Sequence, residues 1–428
     1  MSTQVDQLAI KGGKPIWEKE IPPWPQFDLG VLDELKEILE TGQVNYWTGP
    51  RGMRFEKEFA EWCGTSHAVS TSNGTSALHT ALGALNIGPG DEVIVPSYSF
   101  IASSFCVLQA GAIPVFADVN RDDHILSPED VRRKITSRTR AIIVVHLYGI
   151  VADMDPLLEL ARDHGLYVIE DCAQAHGGVY KGKRTGTLGD IGCFSFCQSK
   201  HFTTGGEGGM IVTNNEELAW ECRSFRDHGY DVQERLNLLE MEAKLMYIHK
   251  RVGFNYRMTE IQSAIGSREL ARFDSWNLPQ RRSNGQFLQN KLKGLDGILQ
   301  LPVDTDQREN AYWWFPIILD LDRLTADAVQ IQKALAAEGL PCYTIQWREM
   351  YKERAYVEKN GFGRYRFPFN SSEYTDPRRV DYQNVRCENA AWLRPRTISL
   401  FTHPTYGEDL MEAYVSGVEK VLSAYLKS

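Results

Sequence analysis

The sequence predicts an α/β fold: a seven-stranded, mostly parallel central sheet followed by a smaller C-terminal α+β domain. Three observations carry this. Seven short apolar runs recur between residues 68 and 213, longer helical stretches separate most of them, and the alternation changes character after about residue 278. The runs fall at 68–72, 92–96, 113–118, 141–146, 167–171, 193–196 and 209–213. They are continuously apolar rather than alternating, as strands covered on both faces must be. Helical signals at 76–85, 103–110, 128–135 and 155–164 supply the crossovers that parallel strands require.

The remaining elements follow in chain order. Residues 215–273 read as mainly helical, broken at 253–257. Beyond them come a strand at 313–321, an amphipathic helix at 326–338 and a strand at 340–345. Residues 361–386 are aromatic and proline-bearing without a period and read as a long loop or insertion. A strand at 397–400 and a helix at 410–426 close the chain. The expected units are an N-terminal arm (1–27), a large α/β domain (28–277) and a small α+β domain (278–428).

Composition narrows the function. With 428 residues, 43% hydrophobic and 24% charged, the chain is an ordinary globular protein. A net charge of −9 argues against nucleic-acid binding while leaving room for one local phosphate site. The longest apolar stretch, 141–152, contains His146 and falls short of the roughly 18 residues of a membrane span. Residues 1–14 lack the apolar core of a signal peptide. Eight scattered cysteines form no C-x-x-C pair, so buried free thiols and a cytoplasmic location are expected, with no membrane partner and no metal.

Ligands of parallel sheets lie beyond the carboxyl ends of the strands. There the run ending Val168-Ile169-Glu170 delivers Asp171, and the run through Phe194-Ser195-Phe196 leads to Lys200 and a glycine-dense stretch at 205–209. A carboxylate after one strand and an amine after another is what pyridoxal phosphate chemistry needs. The amine holds the aldehyde as a Schiff base, and the carboxylate keeps the pyridine nitrogen protonated so that the ring acts as an electron sink. The competing readings are a solvated loop lysine and a strand-end aspartate serving as a cap. Gln174 can hydrogen-bond the phenolic oxygen of such a ring. Asn73-Gly74-Thr75-Ser76 joins a strand to a helix, so backbone N–H groups and two hydroxyls can face a phosphate; Ser195 is a further candidate for that phosphate. Phe100 could stack on the ring or fill the core. His176 could line the site or be a satisfied structural histidine.

Together these segments resemble the DegT/StrS family of pyridoxal-phosphate-dependent sugar aminotransferases. The likeness includes Asn73-Gly74-Thr75, Gly90-Asp91-Glu92-Val93-Ile94-Val95-Pro96, Val145-His146-Leu147-Tyr148-Gly149, Glu170-Asp171, Ser195-Phe196, Gly206-Glu207-Gly208-Gly209 and Phe254-Asn255-Tyr256-Arg257-Met258. It implies a fold-type-I pyridoxal-phosphate (PLP) enzyme, active as a homodimer with its sites at the subunit interface. By the resemblance Lys200 is catalytic, Asp171 and Gln174 hold the ring, and Phe100 stacks on it. Ser195 with Gly74, Thr75 and Ser76 holds the phosphate. Asn255 of the partner subunit would reach the same phosphate, and Arg257 would face substrate.

The implied reaction carries an amino group from glutamate or glutamine to a ketone on a sugar nucleotide or cyclitol, in aminosugar or aminocyclitol biosynthesis. Relatives with histidine in place of the lysine dehydrate keto-sugars, and a non-catalytic PLP-binding regulator is a further alternative; Lys200 favours transamination. For the substrate the signals diverge. The stretch 342–347, with Tyr343 as a candidate substrate contact, departs from many sugar-nucleotide members, while the Pro22-Pro23-Trp24-Pro25-Gln26 start and the region 361–386 look more like cyclitol or aminoshikimate-type members. Residues 253–258 are closer to the sugar-nucleotide type.

Overall fold

Branched and aromatic side chains fill both faces of seven strands, which is why their runs carry no polar alternation. In the computed structural model, which describes residues 7–234, 236, 249–344, 348–374 and 377–427, these strands form one sheet. They are β1 (His67–Thr71), β2 (Glu92–Pro96), β3 (Ile113–Ala117), β4 (Thr139–Val145), β5 (Tyr167–Asp171), β6 (Ile191–Ser195) and β7 (Gly209–Thr213). Their spatial order is β1-β7-β6-β5-β4-β2-β3. β7 runs antiparallel to β1 and β6, and the other pairings in this sheet are parallel. Each expected strand is present, displaced by at most two residues at either end. Pro114 is tolerated in β3 because that strand is an edge, where a missing N–H breaks no ladder.

The expected crossover helices are Gly74–Ala84, Ala102–Gln109, Pro128–Lys134 and Met154–His164. Their ends obey local rules. Ser127 caps the third of these, Pro128 opens it, acids occupy its first turn and Arg132, Arg133 and Lys134 its last, matching the helix dipole.

A second sheet holds β8 (Ile298–Gln300), β9 (Trp314–Leu319), β10 (Cys342–Thr344) and β11 (Thr397–Phe401), in the order β8-β9-β11-β10 and antiparallel throughout. Ile345, the last residue of the strand expected at 340–345, lies outside the described residues. Phe315, Ile317, Leu335, Leu400, Tyr414 and Val418 form the core between this sheet and the helices Ala328–Ala337 and Glu408–Tyr425. Leu288 and Leu292 reach the same core from a helix at Leu278–Leu292 that the sequence reading did not anticipate. Pro279 looks like a breaker there, but it sits in the first turn, where its absent N–H costs nothing.

The region read as a loop or insertion is irregular but not loose. Residues from Met350 to Leu393 join the core of the large sheet rather than that of the small one. Tyrosine hydroxyls do the anchoring: Tyr382 donates to Pro114 O on β3 at 2.9 Å, Tyr374 to Asp91 O at 3.0 Å and Tyr356 to Ser104 Oγ at 2.7 Å.

At the other end of the chain, Leu8 packs into the second core. The Glu338 carboxylate accepts from the Ala9 and Ile16 N–H groups and pairs with Lys420. Seven of the eight cysteines are buried and none is bonded to another. Among the described residues no helix is long and apolar enough to cross a membrane.

One buried carboxylate braces the floor of the sheet's carboxyl edge. Glu170, with no exposed surface, accepts from the Gly186, Leu188 and Gly189 N–H groups at 2.7–2.8 Å and from His146 Nε2 at 3.0 Å. The Ala152 N–H donates to His146 Nδ1, so Nε2 is the nitrogen that carries the proton. His146, Glu170 and Cys172 cluster as metal ligands would, but the carboxylate is already saturated by backbone donors. Glu170→Ala strands those donors at about 1–3 kcal/mol each. The urea midpoint should therefore fall by the equivalent of at least about 3 kcal/mol; a midpoint within error of the native one would contradict this role.

Candidate active site

The carboxyl ends of β1, β5 and β6 open onto one cavity of about 810 Å³. Parallel register sets two of its walls: Asp171 on β5 pairs with Cys193 on β6, so the chain after Ser195 emerges beside the carboxylate. The third wall is the turn after β1. Asn73 Oδ1 accepts from the Ser76 N–H at 2.8 Å and Asn73 O from the Ala77 N–H at 3.1 Å. The preceding N–H groups, of Gly74 and Thr75, are thus the ones this helix end leaves for an anion. Gly74 is needed for close approach, since a Cβ there would lie 2.6 Å from Ser195 Cβ.

Asp171 is 5% exposed. Ser103 Oγ donates to its Oδ2 at 2.8 Å and the Ala173 N–H to its Oδ1 at 3.1 Å. Burial nevertheless wins and raises its carboxyl above the ordinary aspartate value, while these bonds and the Lys200 charge pull the other way. Lys200 is half-buried on the same cavity, its Nζ 4.3 Å from the centroid of the Trp313 ring. Loss of water lowers its amine, with Asp171 opposing. Gln174 Oε1 accepts from the Tyr148 N–H at 2.7 Å, which leaves its NH₂ end as the donor available to a ligand.

Nine of the twelve residues named from the sequence line this cavity: Lys200, Asp171, Gln174, Ser195, Gly74, Thr75, Ser76, Phe100 and Tyr343. Three do not. His176 lies behind the wall, fully buried among Phe194, Phe196, His201 and Phe202 at ring distances of 5.1–5.7 Å. Burial, helped by the Lys200 and Arg281 charges, pushes its imidazole down to about 3, so here it packs as a neutral ring. Arg257 is paired with Asp227, which also accepts from Trp47 Nε1, so its charge is answered inside the fold. Asn255 is exposed and bridged to Asp227, off this cavity.

The sequence reading missed Ser103, Tyr256, Trp313 and Trp314, which also line the cavity. The Trp313-Trp314 doublet is a visible signal, but only the fold shows that the two rings stack at 3.9 Å beside Lys200. Ser103 and Tyr256 carry no local signature.

The donor set fits pyridoxal phosphate. An anion-ready helix end with hydroxyls, a buried carboxylate and an amine face one space that can hold a small phosphorylated ring.

Comparisons with known proteins agree. The family model described as the DegT/DnrJ/EryC1/StrS aminotransferase family matches residues 28–419. GDP-perosamine synthase of Caulobacter vibrioides is 42% identical over 316 residues, covering 74% of this chain and 81% of that protein. L-glutamine:2-deoxy-scyllo-inosose aminotransferase of Streptomyces paromomycinus is 34% identical over 414 residues, 94% of each chain. The crystal structure of an aminotransferase from Psychrobacter cryohalolentis superposes with a TM-score of 0.83 at 35% identity, covering 95% of this chain and 100% of that one.

The raised Asp171 carboxyl has a thermodynamic signature. Its ionisation destabilises the ligand-free fold; that cost is absent below the unfolded value of about 3.9 and complete once the pH passes the raised folded value. Ligand-free Asp171→Asn, whose amide Ser103 can turn to accept, should resist urea better than the native chain at about pH 7.5, with the gap closing toward about pH 4. A native chain that is the more stable at the higher pH would mean the carboxylate is not penalised.

Proposed function

Since the chain belongs to the DegT/DnrJ/EryC1/StrS aminotransferase family, we propose that it uses pyridoxal phosphate to move an amino group from glutamate or glutamine to a ketone on a sugar nucleotide or cyclitol. The supporting observation is the shared cavity: Lys200 on one side, the Asp171 carboxylate on another, and the Gly74–Ala84 helix end with Ser195 closing the third. Relatives of both substrate types match over most of the chain.

When bound, the cofactor supplies an electron sink that makes a proton on an amine-bearing carbon removable. This chain's residues do the rest. Asp171 holds the ring nitrogen's proton by charge, and Gln174 donates its NH₂ group to the ring oxygen. Thr75, Ser76 and Ser195 hydroxyls bind the phosphate with the helix N–H groups, and Phe100 covers a ring face. Lys200 Nζ, its amine made a weaker base by loss of water, takes a proton from the donor's carbon and returns one to the acceptor's. Trp313, Trp314 and Tyr343 offer flat apolar faces to a sugar-like ring.

A second copy of the chain would complete the site. Asn255 is exposed away from its own cavity, and the flanking Val252 and Phe254 are apolar yet 82% and 38% exposed. Apolar side chains this exposed mark a contact surface, which fits Asn255 serving the neighbouring subunit's phosphate.

Lys200→Ala should lose its visible absorption band and at least roughly 10²–10⁴-fold in turnover; near-native turnover would refute the lysine's role. Loading the native enzyme with glutamate or glutamine and asking which keto-sugars or keto-cyclitols restore the starting spectrum identifies the acceptor. If no such ketone restores it, the proposed substrate class falls. Hybrids of inactive Lys200→Ala and inactive Asn255→Ala chains should regain activity, because one site per hybrid keeps both residues. Verified hybrids without activity would count against a shared site.

A further inference from the structure

Three consecutive carbonyls around Lys200 are each held by a side chain from a distant part of the chain. Ser199 O accepts from Trp313 Nε1 at 2.6 Å, Lys200 O from Trp24 Nε1 at 3.0 Å and His201 O from Asn277 Nδ2 at 2.6 Å. Irregular backbone has no sheet ladder to satisfy its carbonyls, so such donors decide where it lies.

All three donors converge on Arg281. Its guanidinium donates to Asn277 Oδ1 at 2.8 Å and to Trp313 O at 3.2 Å, and it sits 5.0 Å from the centroid of the Trp24 ring. The His403 ring stacks on the other partner of this group, Trp24, at 5.4 Å, with its Nδ1 3.4 Å from Arg281. Arg281 has no exposed surface, and among the described residues no carboxylate pairs with it. Burial pushes it down to about 9. An unpaired buried cation is costly; an apolar side chain of similar length would fill the space without that cost. What the guanidinium adds is directional: bonds to Asn277 Oδ1, Trp313 O and His403 Nδ1, and a flat face against an indole.

We infer that Arg281 is the positioning residue of the Lys200 turn: through Trp24, Trp313 and Asn277 it fixes the backbone of residues 199–201 and so aims Lys200 Nζ into the cavity. The inference rests on the reading of Lys200 as the reactive amine. It also makes the N-terminal arm, through Trp24, a working part of the site. Trp313 acts twice, since the indole that holds Ser199 O also bounds the Lys200 amine.

The test uses the holoenzyme and four variants. Trp24→Phe and Trp313→Phe each delete one N–H while keeping an aromatic ring, Arg281→Met removes the hub, and Arg281→Lys keeps a charge but loses the planar fork and its flat face. Each variant should speed hydrogen exchange in the peptide spanning residues 197–204. Each should also lower kcat by roughly 10- to 100-fold, the cost of misplacing a reacting group by about 1 Å, while KM stays within about twofold in the Trp24 and Arg281 variants. Arg281→Lys should not restore kcat. Native exchange and native kcat in a folded Arg281→Met, or a lower melting temperature as its sole change, would overturn the inference. Should Arg281→Met fail to fold, native exchange and kcat in both tryptophan variants would overturn it equally. Those results with Lys200→Ala inactive would leave the proposed function standing; native turnover in Lys200→Ala would remove the function itself.

Discussion

A negative charge kept nearly dry at the end of a parallel strand is the constraint around which the molecule is arranged. Asp171 is nearly buried, so its charge is answered mainly by short fixed dipoles, the Ser103 hydroxyl and the Ala173 N–H, and by the Lys200 amine across the cavity. Those groups come from separate crossovers of the chain. The strand order brings them to one edge: β1, β7, β6 and β5 are neighbours, so the turn after β1, the loop after β6 and the end of β5 meet. A positive ring nitrogen would relieve the cost that burial imposes on the carboxylate.

Beneath this edge lies a layer that contributes by being inert. His176 and His201 sit among Phe194, Phe196, Phe202 and Phe273, and burial holds both imidazoles in their neutral form. A charged ring there would compete with Lys200 for the same field. Neutral, they pack like the phenylalanines and leave the lysine as the one cation on the cavity wall among the described residues.

Much of this was legible in the chain because it is local. A strand covered on both faces must be continuously apolar, and a residue just past such a run must lie at the sheet's carboxyl edge; this located Asp171 and Lys200, and the Asn73–Ser76 turn needed only small residues before a helix. What escaped notice depends on distance. Ser103, Trp24 and Trp313 act on groups 68, 176 and 114 residues away, and no spacing rule reports such a meeting. For His176 the sequence leaves two readings open, because nearness to Asp171 says nothing about which face the chain presents once it turns; the ring packs in the aromatic layer. Residues 361–386 lack a period because Tyr374 and Tyr382 send their hydroxyl hydrogen bonds to other parts of the chain rather than along a ladder.

Those phenols bear on how the protein behaves in a crowd. β3 is the outermost strand on its side of the sheet, and a bare outer strand offers its unsatisfied carbonyls to any passing extended chain. Here Tyr382 occupies the Pro114 carbonyl, while the proline itself withholds a donor. Asn389 takes the Val119 carbonyl just beyond the strand at 2.8 Å. The segment is thus a selvedge, a woven border that stops the sheet from fraying outward into its neighbours, and trimming it to shorten the chain would leave a surface prone to stick.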